Sequence, residues 1–200
     1  MLTLIDLLNH HPQGAPLRVN EVAMTPAVAR PVTDDDECFA HYGHRLDALD
    51  LALTYAYADR RMPFVNCAPM TVQVEELGSV TISGSRMRAR NPLDPPGIKV
   101  EDGILTVSHL VFHRNHPKRW QAAVGMPVRS LAVRAGASAA DADHLAVATV
   151  AAIVDHQRAL LDRLQRSAEL AARRKQAAAM LVEVAALQLD TLDDAQRPRA

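Results

Sequence analysis

Between Ser138 and Leu192 the chain runs for 55 residues without a glycine or a proline. The stretch lacks the two residues that most readily end a helix, and it predicts one. Ser138 followed three residues on by Asp141 has the form of a capping box, and Gly136 clears the chain ahead of it. From Val147 onward, apolar residues recur at alternating steps of three and four: Val147, Val150, Val154, Leu161, Leu164, Ala168, Ala171, Ala178, Val182, Ala185, Leu189 and Leu192. Only Gln157 and Lys175 interrupt this seam. Such a repeat, held over seven heptads, predicts a coiled coil or a long bundle helix.

At 1.5 Å per residue the whole stretch would measure about 80 Å, whereas a compact globule of 200 residues has a radius of gyration of roughly 16 Å. It must therefore project and pair with another copy, or fold back near Arg173-Arg174-Lys175-Gln176. Ile153, Leu160 and Leu181 widen the stripe towards bundle packing. On the opposite face Asp162 and Arg166, and Glu169 and Arg173, stand four apart with the acid first. Each such pair contributes only about 0.2–0.5 kcal/mol, so that face is a solvated one. The residues expected to carry self-association are Val147, Val150, Val154, Leu161, Leu164, Val182, Leu189 and Leu192. Subunit number stays open, because a mixed valine, alanine and leucine seam does not select one.

With 48% hydrophobic residues the chain can bury a real core, and its net charge of −1 selects no partner. The distribution of charge says more. Residues 1–84 carry 5 basic and 11 acidic side chains, residues 85–134 carry 9 and 3, and residues 135–200 carry 8 and 9. The middle is a basic island. Cys38 and Cys67 are the only thiols, the first residues lack a basic start, and no run of 18 apolar residues occurs. A reduced, cytoplasmic setting without a membrane span is expected.

Taken in order, residues 1–36 predict a short helix over Leu2–Asn9 followed by an extended arm containing Pro16, Pro26 and Pro31. The acidic run Asp34-Asp35-Asp36-Glu37 is expected to complement the N-terminus of the next helix. Residues 37–135 predict an α+β domain. Its helix spans 37–62, on the spacing of Phe39, Tyr42, Leu46, Leu49, Leu53 and Tyr57, and stops at Pro63. Its small, mostly antiparallel sheet spans about 70–133, with Leu77-Gly78 and Asp102-Gly103 as turns and 91–97 as a proline-rich loop. Residues 138–195 form the long helix or a helical hairpin, and 196–200 a tail.

Arg86, Arg88 and Arg90 are the sharpest polar pattern, since on a strand all three project from one face and suit a phosphate backbone. Arg114, Lys118 and Arg119 can extend that patch, with Trp120 as a stacking ring. Charged edge strands and pairing with the acidic first third explain the same arginines without a nucleic acid. His109, His113 and His116 do not make a metal site on a strand, where the first two would sit about 13 Å apart. His41 with His44, and Asp141 with His144, are pairs that lack further ligands. Cys67, between apolar neighbours, suits a small core residue better than a nucleophile. No nucleotide or hydrolase fingerprint occurs.

The expectation is an α+β protein with a small sheet flanked by helices and a long C-terminal coiled-coil or bundle helix. It is expected to serve as a non-catalytic structural or assembly subunit that forms a homo-oligomer and meets a protein partner. No catalytic residue, cofactor or metal is assigned. The alternatives are an oligomeric nucleic-acid-binding protein using residues 86–90 and 113–120, and an enzyme with a site built between subunits.

Overall fold

The computed structural model describes residues 9–19, 24–26, 33–34, 37–41, 46–75, 77–84, 92–173 and 177–196. The chain forms two compact units, Met1–Leu46 and Asp47–Ala200.

The first unit holds strands β1 (Asn9–Val19), β2 (Met24–Pro26), β3 (Thr33–Asp34) and β4 (Glu37–His41), in the order β2-β1-β4-β3. β1 and β2 form an antiparallel hairpin, β1 runs parallel to β4, and their register slips between His10 and Ala15, where Pro12 and Gly14 fall. A proline cannot donate to a ladder, and the slip takes it out of register. The expected arm contains strands, and residues 37–41 are strand where a helix was expected to start. Asp34 and Glu37 stand opposite each other in the antiparallel β3–β4 pair, so these two acidic residues lie on strands and not at a helix N-terminus. A five-residue segment is too short for its apolar spacing to separate helix from strand. The expected helix over Leu2–Asn9 lies outside the described residues except for Asn9, which begins β1.

The second unit opens with α1 (Ala48–Tyr55), all that remains of the helix expected over 37–62. Asp47 sets its start: Oδ1 accepts the N–H groups of Leu49 and Asp50, each at 2.9 Å, while Asp50 Oδ2 accepts Asp47 N–H at 3.2 Å. This reciprocal capping box satisfies donors that the first turn leaves open. Ala56, in the left-handed region at φ 52°, ends the helix.

Strands β5 (Phe64–Asn66), β6 (Met70–Val74), β7 (Gly78–Ile82), β8 (Ile98–Glu101), β9 (Ile104–Val107) and β10 (Val111–His113) follow. β6, β7, β9 and β8 form one sheet in that order, antiparallel except for the β7–β9 pair, and β5 pairs with β10. Alternation decides the faces. Met70, Val74, Val80, Ile82, Leu105 and Val107 are buried on the inner side, while Thr71 and Thr81 meet on the outer side with their hydroxyls 3.0 Å apart. Asp102 and Gly103 both have positive φ, as the expected two-residue turn requires. Gly78, at φ +104°, cannot carry a side chain, because a Cβ there would lie 2.1 Å from the Gly103 carbonyl oxygen.

The sheet does not continue to 133. Residues Pro117–Arg134 form a helix, α2, with proline in its first turn and Trp120, Val124, Val128 and Ala132 buried at steps of four. Gly125 and Pro127 argue locally against this helix. Packing overrides them, because Trp120, Val124 and Val128 bury one face of the helix in the core. The run from Ile104 to His113 likewise divides, because Ser108 and His109 turn out of β9 before β10 joins β5.

The long stretch is two helices, α3 (Ala139–Ala172) and α4 (Ala177–Asp194). Ser138 caps α3 by accepting Asp141 N–H at 3.2 Å. α4 packs back along α3, and Arg158 pairs with Asp193, residues nearly equidistant from the interruption, so the two helices are antiparallel. α2 and α3 cover the inner face of the sheet, and α4 lies against β5 and β10. The class is α+β, and no described helix is long and apolar enough to cross a membrane.

Gln157, which interrupts the apolar seam, is 3% exposed and serves as a pin. Its Oε1 accepts Ala68 N–H at 2.9 Å, and its Nε2 approaches the Asn66 carbonyl at 3.5 Å. Leucine there would complete the seam yet take from the Ala68 N–H its acceptor. Gln157→Leu is therefore expected to lower unfolding free energy by about 1–3 kcal/mol, measured by urea denaturation; a gain in stability would contradict this assignment.

Candidate functional site

The seam residues divide between the chain's own interior and its surface. Val154, Leu161 and Leu192 are buried in the core of the second unit, Val150 and Leu189 pack against it, Leu164 and Val182 are half-buried, and Val147 is 69% exposed. α3 buries Ala142, Ala146, Thr149, Ile153, Val154, Gln157, Leu161 and Ala168, a stripe that keeps some heptad positions and, near the natural 3.6-residue period, drifts off others.

The basic segment is also divided. The Arg114 guanidinium donates to the Met62 carbonyl at 3.0 Å and to Thr191 Oγ1 at 2.8 Å, tying the end of β10 to α4. Trp120 stands edge-on to Phe112 with ring centroids 4.9 Å apart, and its indole N–H donates to the Ala195 carbonyl at 3.3 Å. At 3% exposure it is a core residue and offers no free face to a base. Lys118 and Arg119 are exposed in the first turn of α2. Arg86, Arg88 and Arg90 lie outside the described residues.

A cleft of about 650 Å³ opens between the proline-rich loop, the start of β10 and α2. Leu93, Ile98, Trp120, Ala123 and Met126 make its walls apolar, while His113, His116 and Arg119 gather at its edge. One relay holds the loop. Gly97 N–H donates to Ser108 Oγ at 2.9 Å, Ser108 Oγ lies 3.0 Å from His109 Nδ1, and His109 Nε2 lies 3.3 Å from the Asp94 carbonyl. A carbonyl only accepts, so Nε2 carries the proton and Nδ1 accepts from the serine. His109 thereby fixes the cleft wall. His113 Nδ1 accepts Asn115 N–H at 3.1 Å, and its ring lies beside Phe64 and His116. Among the described residues, no group of three or more His, Cys, Asp and Glu side chains is placed to hold a metal ion.

The cleft escaped sequence reasoning because one wall is α2, whose spacing of four from Trp120 to Ala132 was masked by Gly125 and Pro127. What the cleft can accept is an apolar group, bounded on one side by edge strand β8 and on the other by the exposed side chain of Met126.

A second cavity, of about 350 Å³, is lined by Asp47, Asp50, Asn66, Cys67, Gln157 and Gln188. Its polar groups are structural: Asn66 N–H donates to Asp47 Oδ2 and Asn66 Nδ2 to Asp50 Oδ2, each at 2.8 Å. Cys67 is buried, and burial pushes its thiol up to about 12. A thiolate, the nucleophilic form, is disfavoured there.

Comparison with protein-family models, with curated proteins and with solved structures finds no match to this chain.

From pH 9.0 towards about 12 the unfolded chain gives up the Cys67 proton while the folded chain keeps it. This contribution to stability is complete below that range and is lost as pH rises through it. Iodoacetamide at pH 8 is expected to leave Cys67 of the folded protein unmodified and to alkylate it in denaturant, as read by peptide mass; rapid labelling of folded protein would refute the burial.

Proposed function

We propose that this chain is a non-catalytic assembly subunit that acts by self-association and by contact with a protein partner. The observation that supports it most is the apolar surface around the cleft, where Ile98 and Val100 on β8 are each 47% exposed and Met126 on α2 is 69% exposed. Side chains of this size, gathered beside an apolar cleft, favour a contact that removes them from water. The chemistry around Cys67 points the same way, because a thiol held protonated in a network of capping and pinning groups is not set up to attack a substrate. A reducing, cytoplasmic setting goes with this role, since Cys67 is a buried free thiol.

A second role, nucleic-acid binding, draws on Lys118 and Arg119, which are exposed at the start of α2 with no acidic residue in its first turn. A contact of that kind weakens steeply with salt, whereas apolar association does not.

Light scattering across a salt series separates the two. The expected result is a salt-insensitive mass that is a multiple of 21.8 kDa. Met126→Lys is expected to reduce that mass while leaving the melting temperature within about 2–4 °C. Leu161→Lys, at a site buried in the chain's own core, is expected to unfold the second unit instead. A monomer at every concentration would refute self-association, and salt-sensitive capture of a mixed nucleic-acid ligand would favour the second role.

A further inference from the structure

The register around β8 shows which of its backbone groups are engaged. Ser108 N–H donates to the Gly97 carbonyl at 2.9 Å, and Lys99 and Glu101 stand opposite Thr106 and Ile104. In an antiparallel pair the hydrogen-bonded positions alternate, so Gly97, Lys99 and Glu101 direct their N–H and C=O groups to β9. Ile98 and Val100 turn theirs outward. Among the described residues, β8 has β9 on one side and no strand on the other. Its four residues are exposed, with Ile98 and Val100 on the inner apolar side of the sheet and Lys99 and Glu101 on the outer side.

We infer that β8 is a self-pairing edge: two copies of the chain join by antiparallel β8–β8 pairing across a two-fold axis, with Val100 opposite Val100. This inference rests on the self-association proposed above and specifies its surface. The charges select the register. With Val100 on the axis, its outward N–H and C=O exchange hydrogen bonds with their copies, and Lys99 of each chain stands opposite Glu101 of the other. Moving the axis by one residue in either direction would oppose Lys99 to Lys99 or Glu101 to Glu101, and like charges directly opposite are unfavourable. Within one chain Lys99 Nζ and Glu101 already lie 2.7 Å apart on an exposed surface, so a second copy offers each an equivalent partner.

Pairing of this kind extends the sheet to eight strands and continues its inner apolar face from Ile98 and Val100 into the same residues of the second copy. A three-residue ladder alone falls short of the roughly 1,200–2,000 Å² that stable interfaces bury. Exposed Met126, which lines the same cleft as Ile98, supplies further apolar area at the junction. The edge is short and carries a lysine, features that otherwise deter strand addition. Here the glutamate two residues on converts that deterrent into a choice of partner.

The test uses the full chain in sedimentation equilibrium, with circular dichroism as the check on folding. Val100→Pro deletes an N–H that faces away from β9, so it is expected to give a folded monomer. Lys99→Glu and Glu101→Lys, each alone, are expected to raise the dimer dissociation constant about tenfold, and the double exchange K99E/E101K to restore it. If Val100→Pro fails to fold, the charge variants decide. A wild-type monomer would overturn both this pairing and the self-association beneath it. An oligomer that the single charge variants do not weaken, or that their combination does not restore, would overturn this pairing alone.

Discussion

The backbone between β5 and β6 leaves one ladder before it enters the next, and although the Cys67 N–H reaches the Leu110 carbonyl, the Ala68 N–H needs an acceptor beneath α3. One buried amide resolves this. Gln157 receives the N–H of Ala68 and reaches the carbonyl of Asn66, while Asn66 donates its own N–H to Asp47 and its side-chain amide to Asp50. The same carboxylates begin α1. A single set of hydrogen bonds thus joins α1, the β5–β6 connection and the middle of α3, and the apolar core closes around it. Buried polar groups of this kind leave little freedom of register, because any shift would break several bonds at once.

The sheet was largely legible in the sequence. Asp102-Gly103 between alternating apolar runs has one common solution, and the structure adopts it with both residues at positive φ. The Ser138–Asp141 cap was legible for the same reason: a local signal with a local partner. The Asp47–Asp50 cap has the same form, but it lies inside a longer run whose apolar spacing also fits a helix, and the run hid the true start. α2 was illegible because Gly125 and Pro127 are poor helix formers, and their compensation, the burial of Trp120, Val124 and Val128 in the core, comes from residues distant in sequence. Propensity is local and that compensation is not.

The seam from Val147 to Leu192 shows how two periods can share the same residues. Alanine, valine and leucine are dense enough there to satisfy a 3.5-residue repeat on paper, while the stripe that the fold buries follows the natural helical period. Val147 belongs to the first pattern and Ile153 to the second. Because the interruption after Arg173 lets α4 return along α3, much of the surface that seemed to require another chain is covered by the same one. Other large apolar side chains stay exposed on β8 and α2 as well as on α3 itself. That is why the cleft and its bordering edge, which depend on a helix the sequence concealed, could not be anticipated from the heptads.

The bond from Trp120 to Ala195 spans 75 residues of chain, and Leu192 and Ala195 are both fully buried. The last turn of α4 is thus part of the core that Phe112 and Trp120 begin. On a ribosome adding about 5–20 residues per second, roughly 4–15 s pass between the synthesis of these two partners. Throughout that interval the indole, the β5–β10 pair and the side of α3 that meets α4 lack their final cover. Closure of the second unit is consequently a late event in the synthesis of the chain.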